Sequence, residues 1–102
     1  MDNWKLVTSL ETIPLQGSRV VRTEQGDIAL FRNLEGEVFA LHDKCPHKGG
    51  SLSQGIVFGN TVACPLHGWN INLVDGNAVA PDKGCARKIA CMVQDGDVFI
   101  HL

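Results

Sequence analysis

The sequence has no tyrosine, only two tryptophans, and no apolar run near the roughly eighteen residues that would cross a bilayer. The first absence removes every phenolic hydroxyl as a hydrogen-bond donor. The last excludes a helical membrane span. Positive charge is not in surplus: nine Lys and Arg stand against eleven Asp and Glu, interspersed, for a net charge of −2. There is no basic stripe for nucleic acid and no polybasic tail for a membrane surface. Also missing are a Ser-His-Asp ordering, a glycine-rich phosphate loop and an evident carboxylate pair, so no catalytic apparatus is visible. Met1-Asp2-Asn3-Trp4 does not begin a basic-then-apolar leader, and the expected location is the cytoplasm. In that compartment four cysteines are better metal ligands or free thiols than a disulfide framework.

No long helical periodicity is present. Short apolar or alternating runs separated by turn residues predict strands instead. The stretches WKLVTSL and SRVVRTE read as the first two, the second entered through Gly17. DIALFRN and EVFALHD form a hairpin across Leu34-Glu35-Gly36. Two-residue turns are expected at Gly59-Asn60, Asp75-Gly76 and Asp95-Gly96. ETIPLQG and APDKGCAR read as loops. Four hairpins in such a length predict an all-β, antiparallel protein of short strands. The 102 residues, 44% apolar, make one domain over residues 1–102.

Two segments stand out at strand ends: HDKCPHKGG and ACPLHGWN. They place Cys45-x-His47 and, after sixteen residues, Cys64-x-x-His67. Two thiolates and two imidazoles suit zinc or an iron–sulfur cluster rather than magnesium or calcium. Gly49-Gly50 and Gly68 let backbone approach a bound group, and Pro46 and Pro65 stiffen each loop. Scattered core residues would not repeat this pairing in two Gly/Pro loops. Structural zinc more often shows two Cys-x-x-Cys knuckles, or a Cys pair followed by a His pair. The alternating order fits a Rieske-type [2Fe–2S] centre, in which one iron is held by two Cys and the other by two His. Each loop then serves both irons.

The CPH and CPLHGW motifs at this spacing resemble the Rieske family along nearly the whole chain. The resemblance implies an antiparallel β sandwich or barrel with a small cluster-binding subdomain, its loops at about 43–51 and 63–70. It implies one [2Fe–2S] cluster per chain, with Cys45 and Cys64 on one iron and His47 and His67 on the other. By the same analogy the loop carrying Pro81 covers the cluster from a third side. High-potential respiratory members carry an extra Cys in each ligand loop, where this chain has Gly50 and Leu66. They also place Ser and Tyr after the second ligand His, where this chain has Trp69 and Ile71. Fewer hydrogen bonds to sulfur predict a potential near the low end of the Rieske range, about −150 mV.

The segment from Ala63 to Cys85, with its Pro81-Asp82-x-Gly84-Cys85 loop, and the opening WKLV with IPLQGSRVV resemble the small subunit of assimilatory NAD(P)H-dependent nitrite reductase. That resemblance implies a large partner subunit with FAD, a [4Fe–4S] cluster and sirohaem, reducing nitrite to ammonium. The alternatives are the ferredoxin of a ring-hydroxylating dioxygenase, with another redox partner, and a non-redox structural or regulatory subunit. Among the remaining residues, His42 and His101 read as half-exposed strand residues, and Cys91 as a small buried hydrophobe. Cys85 reads as a free loop thiol, though it could pack under the cluster or pair with Cys91. Trp4 reads as core or an edge anchor, and Trp69 as a shield over the cluster or a partner contact. Lys44 and Lys48 flank the first loop as solvated charges or docking contacts for an acidic surface. Leu66 is a candidate contact at the electron-transfer face.

Overall fold

The computed structural model describes residues 4–45, 50–65, 68–80 and 83–101. Its centre is the hairpin of β3 (Gly26–Arg32) and β4 (Val38–His42). Ile28, Ala29, Leu30 and Phe31 are all fully buried. Their side chains alternate, so Ile28 and Leu30 enter one core while Ala29 and Phe31 enter another. A strand covered on both faces needs no polar alternation, which is why this run reads as continuously apolar. β4 does the same, sending Ala40 to the first core and Leu41 to the second.

Around this hairpin lies a six-stranded sheet of order β1-β9-β8-β4-β3-β2, every pair antiparallel. β1 spans Trp4–Ser9, β2 Gly17–Thr23, β8 Lys88–Gln94 and β9 Asp97–His101. β4 meets β8 through Ala40 opposite Ile89 and Leu41 opposite Lys88. A bulge between Leu6 and Thr8 interrupts the β1–β9 pairing, and Val7 packs against the first core. A second sheet has three short strands: β5 (Ile56–Phe58), β6 (Thr61–Ala63) and β7 (Asn70–Asn72). Their middle residues, Val57, Val62 and Ile71, sit side by side in register and are buried against Ala29, Phe31 and Leu41. The small sheet is held in place by Asn33, 3% exposed, whose Nδ2 donates to Glu37 Oε1 and, at 2.9 Å, to Asn60 Oδ1 in the β5–β6 turn.

The expected all-β antiparallel fold is therefore present, with turns at Gly59-Asn60 and Asp95-Gly96 closing two-residue hairpins. Asp95 and Gly96 both take positive φ, 53° and 79°, as that turn requires. The turn at Asp75-Gly76 differs. Asn72 N–H donates to the carbonyl of Asn77, so four residues are looped out, and the returning arm makes only isolated bridges, Ile71 with Ala78 and Asn77 with Cys85. The carboxamide of Asn72 and the carboxylate of Asp75 accept from Val74 and Asn77 N–H, shaping this wider turn, while Leu73 turns into the core. A further hairpin joins β2 to β3 across Glu24-Gln25. It lacks an Asn-Gly or Asp-Gly signal. The Thr23 hydroxyl shapes it instead, donating to Gly26 O and accepting from Gln25 N–H. Among the described residues no helix is long and apolar enough to cross a membrane.

Candidate metal centre

Cys45 follows β4 by three residues and Cys64 follows β6 directly. Both are buried, at 2% and 1% exposure, and both belong to the core between the two sheets. The topology thus brings together two cysteines nineteen positions apart in the sequence. Each begins a loop closed in the same way. Cys45 N–H donates to Gly50 O at 2.7 Å, and Cys64 N–H donates to Trp69 O at 2.6 Å. In each case the carbonyl lies five residues on, so the two loops are matched in size. Gly68 sits in the second loop at φ +66°, the left-handed conformation expected of a glycine there.

His47 and His67 lie outside the described residues, as do Pro46, Lys48, Gly49, Leu66, Pro81 and Asp82. The expectations placed on those positions therefore rest on the sequence. The donor chemistry that is described fits a sulfur-bridged iron cluster. Two thiols stand at the mouths of matched loops, in surroundings from which water is excluded, and soft thiolate ligands favour such metals. Trp69 and Phe39, both half-buried, pack against the same core.

Of the remaining cysteines, Cys85 is a free loop thiol as expected, whereas Cys91 is less buried and more polar in its contacts than a small core hydrophobe. None of the four is in a disulfide. Cys85 is exposed in its loop. Cys91, half-buried on β8, donates its S–H to Val38 O at 3.3 Å. Burial pushes its thiol above the ordinary value, against the opposing pull of the Lys88 charge and of the Ala40 backbone. A thiol held protonated in this way is a poor metal ligand and a poor nucleophile. His101 is exposed and meets the Trp4 ring edge-on at 5.2 Å, so Trp4 is an edge anchor on β1. His42 is half-buried on β4, opposite Ile28.

Some supporting residues gave no sequence signal. The carboxylate of Asp43 accepts from Ser53 N–H at 2.7 Å and from Ser53 O–H at 2.8 Å. Ser18 on β2 donates its hydroxyl to Ser53 O at 2.8 Å. Gly55 lies so close to the Ala63 carbonyl that a Cβ there would collide with the oxygen. That contact joins the end of the first loop to the residue before Cys64. Asp43 stands two places before Cys45 in the sequence, but nothing there names Ser53 as its partner.

A model of the Rieske [2Fe-2S] domain matches residues 3–93. The chain is 38% identical over 96 residues to the 3-phenylpropionate/cinnamic acid dioxygenase ferredoxin subunit of Photorhabdus laumondii, covering 92% of this chain and 90% of that one. It is 50% identical over 46 residues to the 4beta-methylsterol monooxygenase of Methylococcus capsulatus, of which it spans 12%. A solved structure given a provisional assignment as nitrite reductase NADPH (small subunit) superposes with a TM-score of 0.86 at 25% identity, covering 97% of this chain and 98% of that one. This chain belongs to the Rieske [2Fe–2S] family. It is an electron-transfer protein of that class, and its cofactor is a single [2Fe–2S] cluster.

Proposed function

We propose that this chain acts as a Rieske ferredoxin delivering single electrons to the oxygenase component of a ring-hydroxylating dioxygenase. The observation that carries this reading is the 38% identity to a dioxygenase ferredoxin subunit, spread over 90% of that subunit. Cys45 and Cys64 would hold one iron, and His47 and His67 the other. When bound, the cluster supplies a one-electron couple. The chain's own part is to exclude water from the two sulfur ligands, through Leu52, Val62, Ile71 and the half-buried Trp69. It also fixes both ligand loops on a rigid β frame, which lowers the reorganisation that accompanies each electron.

A second reading, the small subunit of an NAD(P)H-dependent nitrite reductase, has separate support. The loop Pro81-Asp82-x-Gly84-Cys85 resembles that family, and the structure assigned to such a subunit shares the fold at 25% identity. In that case the electron reaches a large subunit with FAD, a [4Fe–4S] cluster and sirohaem. The decisive experiment presents the dithionite-reduced protein to each purified partner type and follows reoxidation by stopped flow. Fast reoxidation by an oxygenase component and none by a sirohaem subunit supports the ferredoxin. The reverse overturns it in favour of the nitrite reductase.

Two properties accompany either reading. The potential is expected near the low end of the Rieske range, about −150 mV. Ile71 and Trp69 provide no hydroxyl to the second loop, and no disulfide spans the ligand loops. Protein-film voltammetry checks this, and a potential above zero would contradict it. Lys44 is exposed beside Cys45 and is expected to steer an acidic partner. Lys44→Glu should slow electron delivery about tenfold at low salt, with the difference vanishing at high ionic strength.

A further inference from the structure

The first loop carries a side-chain brace. Its inner rung is the bond from Cys45 N–H to Gly50 O. Outside this, Asp43 reaches across the loop to Ser53, ten residues on, and receives both its N–H and its O–H. The brace is anchored on two sides. Asp43 N–H donates to Asp27 O at the start of β3, and Ser53 O accepts from Ser18 on β2. An Asp in a turn ordinarily accepts from the backbone two residues on. Asp43 spends both oxygens on a single distant residue instead. Hydrogen bonds to an ionised group are the strong kind, and closing a loop of this length otherwise costs chain entropy.

We propose that Asp43 is a positioning residue for the iron site, acting through Ser53 to hold the Cys45 loop in its binding geometry. It also places a fixed negative charge two residues before Cys45. The carboxylate opposes the electron added on reduction, so it lowers the potential as well as retaining the cluster. Outer residues that orient metal ligands commonly change metal affinity by about 10–100-fold when removed. The proposal concerns the chain's own hold on its cofactor and is independent of which partner takes the electron.

The test separates the brace from the charge. Holoprotein is challenged with an iron chelator and bleaching of the visible absorption is timed. The EPR spectrum of the reduced protein and the midpoint potential are measured on the same samples. Asp43→Ala should shorten the lifetime of the cluster about tenfold. Asp43→Asn can keep both contacts, its Oδ1 accepting from Ser53 N–H and its Nδ2 donating to Ser53 Oγ, so it should restore the lifetime to within about twofold yet raise the potential. Ser53→Ala keeps the charge, so the potential should stay while the lifetime falls severalfold. A wild-type lifetime in both Asp43→Ala and Ser53→Ala would overturn the positioning role. A wild-type potential in Asp43→Asn would overturn the charge effect. Should Asp43→Ala fail to fold, the lifetime in Ser53→Ala decides alone.

Discussion

The Cys45 and Cys64 loops are the same size and are closed by the same backbone bond, yet they are supported differently. The Cys64 loop connects two paired strands, β6 and β7, so the sheet register itself brings its ends together. Among the described residues the Cys45 loop has no such ladder. It leaves β4 and runs to the 3₁₀ turn Leu52–Gln54, and its ends are joined by side chains: the Asp43 carboxylate, Ser53 and Ser18. The lesson is that one geometry can be held either by secondary structure or by a few polar side chains. The second solution is the one that single substitutions can undo. Gly55 is where the two supports touch, with its backbone against the Ala63 carbonyl.

Substitutions can break this comparison at graded cost. Leu52 is fully buried at the foot of the first loop. Leu52→Ala should cost about 4 kcal/mol of stability, transfer and cavity terms together, measured by urea unfolding of the holoprotein. Gly55→Ala follows. Its backbone is in an ordinary extended conformation, so the penalty is steric alone: the new Cβ meets a carbonyl that cannot move without shifting Cys64. A loss of about 3 kcal/mol is expected, with reduced iron content per chain. If iron content holds while stability falls, the contact is structural and does not link the loops. Ser53→Ala should cost about 1 kcal/mol, the worth of one hydrogen bond to a charged group less relaxation. Asn70→Ala, on the ladder-supported loop, should cost less than this and leave cluster lifetime unchanged.

The smallest effect lies away from both loops. Burial raises the Cys91 thiol above its ordinary 9.0. The unfolded chain therefore loses this proton first, and the native state loses stability as pH rises through and beyond that value. Below it the contribution is fully present. Cys91→Ala should flatten the alkaline fall in melting temperature and leave the neutral value nearly unchanged. An unaltered alkaline limb would mean that the thiol titrates alike in both states.

Much of the fold was legible because strand and turn chemistry is local. The runs from Gly26 to Arg32 and from Lys88 to His101, and the turns at Gly59-Asn60 and Asp95-Gly96, could be read directly. The β2–β3 turn could not, since it is made by a Thr hydroxyl rather than by a glycine pair. The turn at Asp75-Gly76 was located but read too tight, because nothing local says that Leu73 will be drawn into the core. Residue type and spacing point to Cys45, His47, Cys64 and His67 as candidate ligands, and the structure describes the two cysteines of that set. The brace was hidden, because Asp43 and Ser53 meet only after the loop closes.

By itself, then, the sequence determined which elements form and which residue types can bind a soft metal. Both follow from side-chain chemistry over a few neighbouring positions. Only the tertiary structure decided that the two cysteines share one dry core, that Asp43 serves Ser53, and that Gly55 must lack a side chain. Those facts depend on contacts between segments eight to nineteen residues apart. Such contacts exist only once strands have paired and packed: Gly55 meets Ala63 through the β5–β6 pairing, and the two cysteines share the core between the two sheets.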